Sequence, residues 1–235
     1  MTARTAAERL AVHLFDGAPA DAVGEEVAGW LAGSARFRSF ADAHRDKIRK
    51  KLRGATDEQA RGDVRAELRV AHLLLADRRI ELAFEALGST RGGPDFTVAY
   101  RGERGFNLEV TRLHRASGSA IHGGPLLAKL RQLPPSAPNA LLVAIEGDSA
   151  DAFDVAAAAR ALRARADAKD EAFFESRGFH GTKSFYQRYL RLGAVLVWCE
   201  TAGGEGRATE WSNRSARIAV PERAVRACLA CLRAG

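Results

Sequence analysis

Asp95 and Glu109 have the side-chain chemistry and the spacing of a cation-binding site. Alternating apolar residues predict β-strands over residues 94–100 and 106–112, with a tight turn between them. Because the apolar side chains of both strands must share one face of the sheet, the numbers of two paired residues must have an even sum, and a turn centred on Gly102 meets this condition. This register forms the apolar cross-strand pairs Phe96–Leu108 and Val98–Phe106. It also places Asp95 opposite Glu109, with Cβ atoms about 5 Å apart.

Two carboxylates that face each other across a sheet repel unless a cation lies between them. Carboxylate oxygens are the ligands that Mg²⁺ and Mn²⁺ prefer, and Mg²⁺ often binds one or two carboxylates together with substrate phosphate. Taken singly, each acid has an ordinary explanation, since Asp95 could end a Gly-Gly-Pro loop and Glu109 could be a solvated edge residue. As a pair they indicate a site for Mg²⁺ or Mn²⁺.

A third carboxylate, Glu67, falls inside the apolar face of a helix predicted over residues 57–77. That face is formed by Val64, Leu68, Ala71 and Leu75. A carboxylate on a buried face is costly unless it is paired or bound to a metal. Two explanations stay open for Glu67, a metal ligand and a structural salt bridge to an arginine of its own helix.

The arrangement of these acids resembles the PD-(D/E)xK nuclease superfamily. The resemblance rests on Glu67 on a helix, Pro94-Asp95 at the start of a strand and Glu109-Val110-Thr111 on the next strand. It implies a restriction-endonuclease-like core, with Asp95 and Glu109 as metal ligands and Glu67 supplementing them directly or through water. It also implies phosphodiester hydrolysis, in which bound metal lowers the pKa of a water molecule and neutralises charge on the phosphate.

The sequence departs from the family pattern because Thr111 occupies the position of the usual lysine. Threonine can hydrogen-bond a metal-bound water but supplies no positive charge. Lys129, on a helix predicted over residues 125–133, is the candidate replacement, and the resemblance allows it because some family members carry the lysine there. Gln132 follows one turn later on the same side of that helix. An ordinary solvated lysine is the alternative for Lys129, and the missing motif lysine leaves an inactive nuclease-like domain open.

A basic run near the end of a helix predicted over residues 34–53 is a candidate nucleic-acid-binding surface. Its residues are Lys47, Arg49, Lys50 and Lys51. Such a run can follow a phosphate backbone. Cations also complement the dipole at a helix C-terminus, so a solvated helix end explains the same residues.

The composition is that of an ordinary globular protein and excludes disorder, collagen-like repeats and a disulfide scaffold. The chain has 235 residues, 46% of them hydrophobic, and its 36 Lys and Arg against 29 Asp and Glu give a net charge of +7. This charge permits an anionic partner without requiring one. Cys228 and Cys231 form a C-x-x-C within an apolar helical end, which is typical of buried residues. With no signal peptide or membrane span in the sequence, a cytoplasmic protein without membrane contact is expected.

The order of predicted elements indicates an α/β fold with a mixed central sheet flanked by helices. An N-terminal helical extension is expected over residues 1–55, before a nuclease-like domain over residues 56–235. Strands are predicted over residues 80–87, 94–100, 106–112, 140–146, 194–199 and 208–213. Helices are predicted over residues 6–15, 20–31, 34–53, 57–77, 125–133, 151–167, 183–192 and from 221 onward.

Three functions are consistent with the sequence. The first is a Mg²⁺-dependent or Mn²⁺-dependent nuclease acting on DNA or RNA, as monomer or homodimer. The second, suggested by Thr111 in place of the lysine, is a catalytically inactive module that binds nucleic acid or a protein partner. The third is a structural domain in which the acids are surface charges and do not converge.

Overall fold

The structure, a computed structural model, describes residues 5–84, 93–113, 124–146, 153–200 and 206–234. The chain divides into two compact units, Met1–Arg78 and Arg79–Gly235. Helices form the first unit, and a sheet with helices against it forms the second. The helix that carries Glu67, which the sequence prediction placed in the second domain, lies in the first unit. Within the described stretches, no helix has the length and apolar character needed to cross a membrane.

Four helices of the first unit begin at side chains that satisfy open backbone N–H groups of a first turn. The capping side chains are those of Thr5, Asp21, Ser34 and Asp57. The helices are α1 (Ala6–Leu14), α2 (Ala22–Gly33), α3 (Ala35–Ala43), α4 (Arg45–Gly54) and α5 (Glu58–Leu74).

The single helix predicted over residues 34–53 is wrong, because the chain breaks at His44 into α3 and α4. His44 has φ −116° and ψ 16°, outside the helical region, and its side chain forms no capping hydrogen bond. Neither glycine nor proline marks this position, so the periodicity runs on without interruption. The break lets α3 pack against α2 while α4 packs against α1 and α5, which one straight helix could not do.

His72 lies in an aromatic cluster of the first unit. Its ring stacks on Trp30 with centroids 5.4 Å apart and forms a T-shaped contact with Phe37, also with centroids 5.4 Å apart. Burial lowers the pKa of His72 below its ordinary value of 6.5, and the nearby charge of Arg69 lowers that pKa further, against an opposing effect of Glu26.

The first unit is therefore expected to lose stability as the pH falls below 6.5. The unfolded chain binds a proton at His72 more readily than the folded chain does, so protonation favours unfolding. The midpoints of urea unfolding at pH 7.5 and 5.5 measure this loss. The loss should be smaller in His72→Gln. It should be unchanged in the control His180→Gln, which lies at an exposed position. An equal loss in the wild type and in His72→Gln would contradict the assignment.

The second unit contains a mixed six-stranded sheet, which confirms the predicted α/β fold. The strands are β1 (Ile80–Phe84), β2 (Phe96–Tyr100), β3 (Phe106–Leu113), β4 (Asn139–Glu146), β5 (Leu192–Glu200) and β6 (Gly206–Ser212), and they lie in this order across the sheet. The pairs β3–β4 and β4–β5 are parallel, and the other neighbouring pairs are antiparallel.

The hairpin of β2 and β3 has the predicted register. Phe96 pairs with Leu108, and Val98 pairs with Phe106. Arg101 and Gly102 turn the chain with φ 54° and 71°, and the N–H of Glu103 donates to the carbonyl of Tyr100. Positive φ at both central residues is the feature of tight hairpin turns that match the twist of the strands.

Helices cover both faces of this sheet. They are α6 (Gly124–Leu130), α7 (Val155–Asp167), α8 (Glu171–Glu175), α9 (Gly181–Tyr189) and α10 (Glu222–Arg233). Side chains of α6 to α9 form one core with odd-numbered residues of β4 and β5, such as Val143 and Val197. On the other face, Trp198 Nε1 donates to the carbonyl of Leu232 in α10 at 2.9 Å. Cys228 and Cys231 are buried residues of α10, as predicted.

Candidate functional site

The candidate site lies where β2 begins beside the middle of β3. Asp95 directly precedes β2, and Glu109 lies inside β3. Continuing the observed register by one residue beyond the Phe96–Leu108 pair places Asp95 opposite Glu109. β2 begins at the same edge of the sheet at which the parallel strands β3, β4 and β5 end. This edge is the usual place for ligands in open α/β sheets.

Asp95 is held against β3 by a hydrogen bond to the backbone. Its side chain is buried, with the residue 8% exposed, and Oδ2 accepts from the N–H of Val110 at 2.9 Å. A hydrogen bond to an ionised carboxylate is stronger than one between neutral groups. The contact therefore fixes the Asp95 carboxylate one residue away from Glu109 along β3.

Glu109 is buried more deeply and forms an ion pair with Lys129. The residue is 2% exposed, and its Oε1 accepts from Lys129 Nζ at 2.6 Å. Lys129 belongs to α6, which is anchored in the core by Leu126 and Leu130. Removing a carboxylate from water is costly without a cation nearby, so Lys129 supplies charge that the burial of Glu109 needs.

Two carboxylates are the donors that this site could offer to a cation. Across the part of the chain that the structure describes, no group of three or more His, Cys, Asp or Glu side chains could hold a metal ion. The charged side chains of the site are the carboxylates of Asp95 and Glu109 and the ammonium group of Lys129, which contacts Glu109. Mg²⁺ keeps several waters and is often bound by one or two carboxylates. A metal here would take both carboxylates and complete its coordination with water or substrate oxygens.

Thr111 and Gln132 differ in their relation to the two acids. Thr111 is half-buried and lies two residues after Glu109, on the same face of β3. Gln132 is exposed, in a turn beyond α6, because that helix ends at Leu130 and not at residue 133. Pro134 disfavours a helical conformation in the residue before it, so the helix cannot run through residue 133. The sequence predicted that Gln132 lies one turn after Lys129 on the same side of the helix. This prediction is wrong, because Gln132 lies outside the helix.

Glu67 lies in the first unit, where it forms an ion pair with Lys51 of α4. Its side chain is mostly buried, as its position on the apolar face of α5 predicted. The partner is a lysine from a neighbouring helix, and the sequence prediction considered only arginines of the same helix. A role for Glu67 as a third metal ligand stays a prediction.

Two residues of the basic run on α4 form ion pairs within the first unit. Arg49 pairs with Asp16, and Lys51 pairs with Glu67. Lys47 and Lys50 are exposed on the same helix. The internal pairs reduce the positive charge that this helix presents to an anionic partner, and nucleic-acid binding by the run stays a prediction.

The sequence prediction missed two buried asparagines beside the site. Asn107, two residues before Glu109 on β3, is 5% exposed, and Asn139, at the start of β4, is 0% exposed. Asn107 Nδ2 donates to Asn139 Oδ1 at 3.0 Å. Asn139 Nδ2 lies within 3.0 Å of the carbonyl oxygens of Pro134, Ala137 and Arg191. The only signal in the sequence is an asparagine at the edge of an apolar strand, a position that the prediction gave to a linker.

Comparisons of the chain with protein-family models, with curated proteins and with solved structures give no match. A function for the site is therefore inferred from its side chains and their geometry.

Proposed function

We propose that the second unit is a metal-dependent phosphodiesterase that cleaves DNA or RNA. The observation that carries the proposal is the position of Lys129 Nζ, 2.6 Å from Oε1 of the buried Glu109, the strand residue that faces Asp95 in the continued register. A lysine next to two acids on neighbouring strands resembles the catalytic set of PD-(D/E)xK nucleases. The chain would be a divergent member that carries Thr111 in the usual lysine position and the lysine on α6.

Asp95 and Glu109 would hold Mg²⁺ or Mn²⁺ through their carboxylate oxygens. The ion would lower the pKa of a bound water and offset negative charge on the scissile phosphate. The hydrogen bond from Val110 keeps the Asp95 carboxylate in place, so little reorganisation is needed on binding. Lys129 Nζ carries three N–H donors and one charge, and it can donate to a phosphate oxygen. The hydroxyl of Thr111 can orient a water on the same face of β3.

The proposal is tested by cleavage of double-stranded DNA, single-stranded DNA and RNA by the purified full chain. Cleavage is expected with Mg²⁺ or Mn²⁺, is lost on addition of a chelator and returns when metal is restored. Cleavage that continues in the presence of the chelator would contradict the proposal. So would the absence of cleavage of all three substrates with both metals.

A catalytically inactive module that binds nucleic acid or a protein partner is the second candidate. Thr111 favours it, because the position of the usual lysine carries no charge. The ion pair of Glu109 and Lys129 favours it too, since a closed pair explains the burial of Glu109 without a metal. This candidate predicts binding to nucleic acid that weakens as salt rises, with no cleavage.

We also propose a cytoplasmic location, where buried cysteines such as Cys199 stay reduced.

A homodimer is kept as a prediction, and light scattering of the purified chain distinguishes it from a monomer.

A further inference from the structure

A groove of about 410 Å³ lies within the first unit, along one side of α1 and beside the junction of α3 and α4. Its charged lining consists of Arg9 and His13 from α1, Arg38 and Asp42 from α3, and Arg45 from α4. Three arginines against one aspartate give this lining an excess of positive charge. The size falls in the range of pockets that bind small molecules.

Contacts within the unit constrain several of these side chains. Arg38 Nη1 donates to the carbonyl of Leu31, at the end of α2, at 2.6 Å. Arg45 Nη1 lies 3.6 Å from Asp42 Oδ1, in an ion pair that is largely exposed to solvent. His13 Nε2 lies 3.2 Å from Oδ1 of Asp46, just outside the groove. Exposed ion pairs are weak, so Arg45 can exchange Asp42 for another anion at little cost.

We propose that this groove binds a phosphate group, carried by a small phosphorylated molecule or by a nucleic-acid strand. A guanidinium presents parallel N–H donors that match two oxygens of a phosphate, and three guanidinium groups line one groove here. Leu10, which also lines the groove, offers an apolar contact to the rest of the ligand. The inference uses residues of the first unit alone and does not depend on the proposed nuclease activity.

Calorimetric titration of the full chain at low salt tests the inference with four probes: inorganic phosphate, adenosine monophosphate, adenosine and a short oligothymidylate. The phosphate-bearing probes are expected to bind and adenosine is not. If inorganic phosphate and adenosine monophosphate bind, a small phosphorylated molecule is sufficient to occupy the groove. Binding of the oligonucleotide alone identifies the nucleic-acid strand as the source of the phosphate.

Variants of the lining decide whether the groove is the site. Arg9→Gln and Arg45→Gln should each weaken the binding of the phosphate-bearing probe about ten-fold, the value of a charge-assisted hydrogen bond. Asp42→Asn should strengthen that binding by up to about five-fold, because it removes the carboxylate that competes for Arg45. Arg223→Gln, on an exposed position of α10, is the matched control and should bind as the wild type does.

The strengthening by Asp42→Asn separates a binding role from a loss of folding, since a damaged fold would weaken binding in every variant. The inference is overturned if no phosphate-bearing probe binds. It is also overturned if the two arginine variants bind as the wild type does, or if Asp42→Asn weakens binding. None of these results bears on metal-dependent cleavage, which is measured separately.

Discussion

Glu109→Gln is expected to reduce metal-dependent phosphodiester cleavage by about 100-fold or more, because it removes a charged metal ligand while keeping the size of the side chain. Asp95→Asn should give a loss of similar size for the same reason. Lys129→Met is expected to lower the cleavage rate by about 10²–10³-fold, since it removes the charge placed to stabilise the phosphate. Initial rates on the best wild-type substrate, at saturating Mg²⁺ or Mn²⁺, measure all three effects.

Two exposed positions of the second unit supply matched controls. Glu81→Gln on β1 removes a carboxylate away from the site, and Lys183→Met on α9 removes an ammonium group. Both should cleave at the wild-type rate. Circular dichroism and urea unfolding verify that each variant folds. A folded Glu109→Gln protein that cleaves at the wild-type rate would show that Glu109 is not a ligand of the catalytic metal.

Asn139→Ala is expected to lower the free energy of unfolding by roughly 2–4 kcal/mol. The substitution removes the amide group that accepts from Asn107 and donates to backbone carbonyls, including that of Arg191 just before β5. Those partners are then left in the interior without their hydrogen bonds. Equilibrium unfolding of the full chain in urea measures the change.

Asn139→Asp provides the matched comparison, because it keeps the shape of the side chain but replaces the Nδ2 donor by a carboxylate oxygen. It should destabilise the chain at least as much as the alanine variant does, since it buries a charge beside carbonyl oxygens. Ser136→Ala, at a nearby exposed turn, should change the stability little. A loss below about 1 kcal/mol in Asn139→Ala would contradict the structural role assigned to the asparagine.

The hairpin that carries Asp95 and Glu109 could be predicted because its information is local. The period-two pattern fixes which side chains share a face, and the position of Gly102 fixes the turn. These two constraints leave one register, and the structure has that register. The prediction for Lys129 rests on local information too, because this residue lies on the flank of the apolar stripe of its helix. The structure places its Nζ 2.6 Å from Oε1 of Glu109.

Features that depend on tertiary packing could not be predicted in the same way. The break at His44 is not marked by glycine or proline, and it is set by the different neighbours of α3 and α4. Lys51 and Glu67 come from different helices, so helical periodicity within α5 carries no information about their pairing. Asn139 gathers partners from three separate segments of the chain, which no local pattern reveals.

The early end of α6 has a local cause that the hydrophobic pattern concealed. Leu133 is buried, so the apolar period continues through residue 133 and predicts helix. Pro134 restricts the residue before it, and the chain leaves the helix after Leu130. Gln132 consequently lies in a turn and not on the side of α6 that carries Lys129.

Mn²⁺ binding measures directly whether Asp95 and Glu109 together hold a divalent cation, as proposed. Titration of the full chain with Mn²⁺, followed by electron paramagnetic resonance of the free ion, is expected to show binding that Mg²⁺ competes away. Asp95→Asn and Glu109→Gln should each abolish that binding, and Glu81→Gln should leave it intact. A wild-type chain that binds no Mn²⁺, or two acid variants that bind it as the wild type does, would contradict the account.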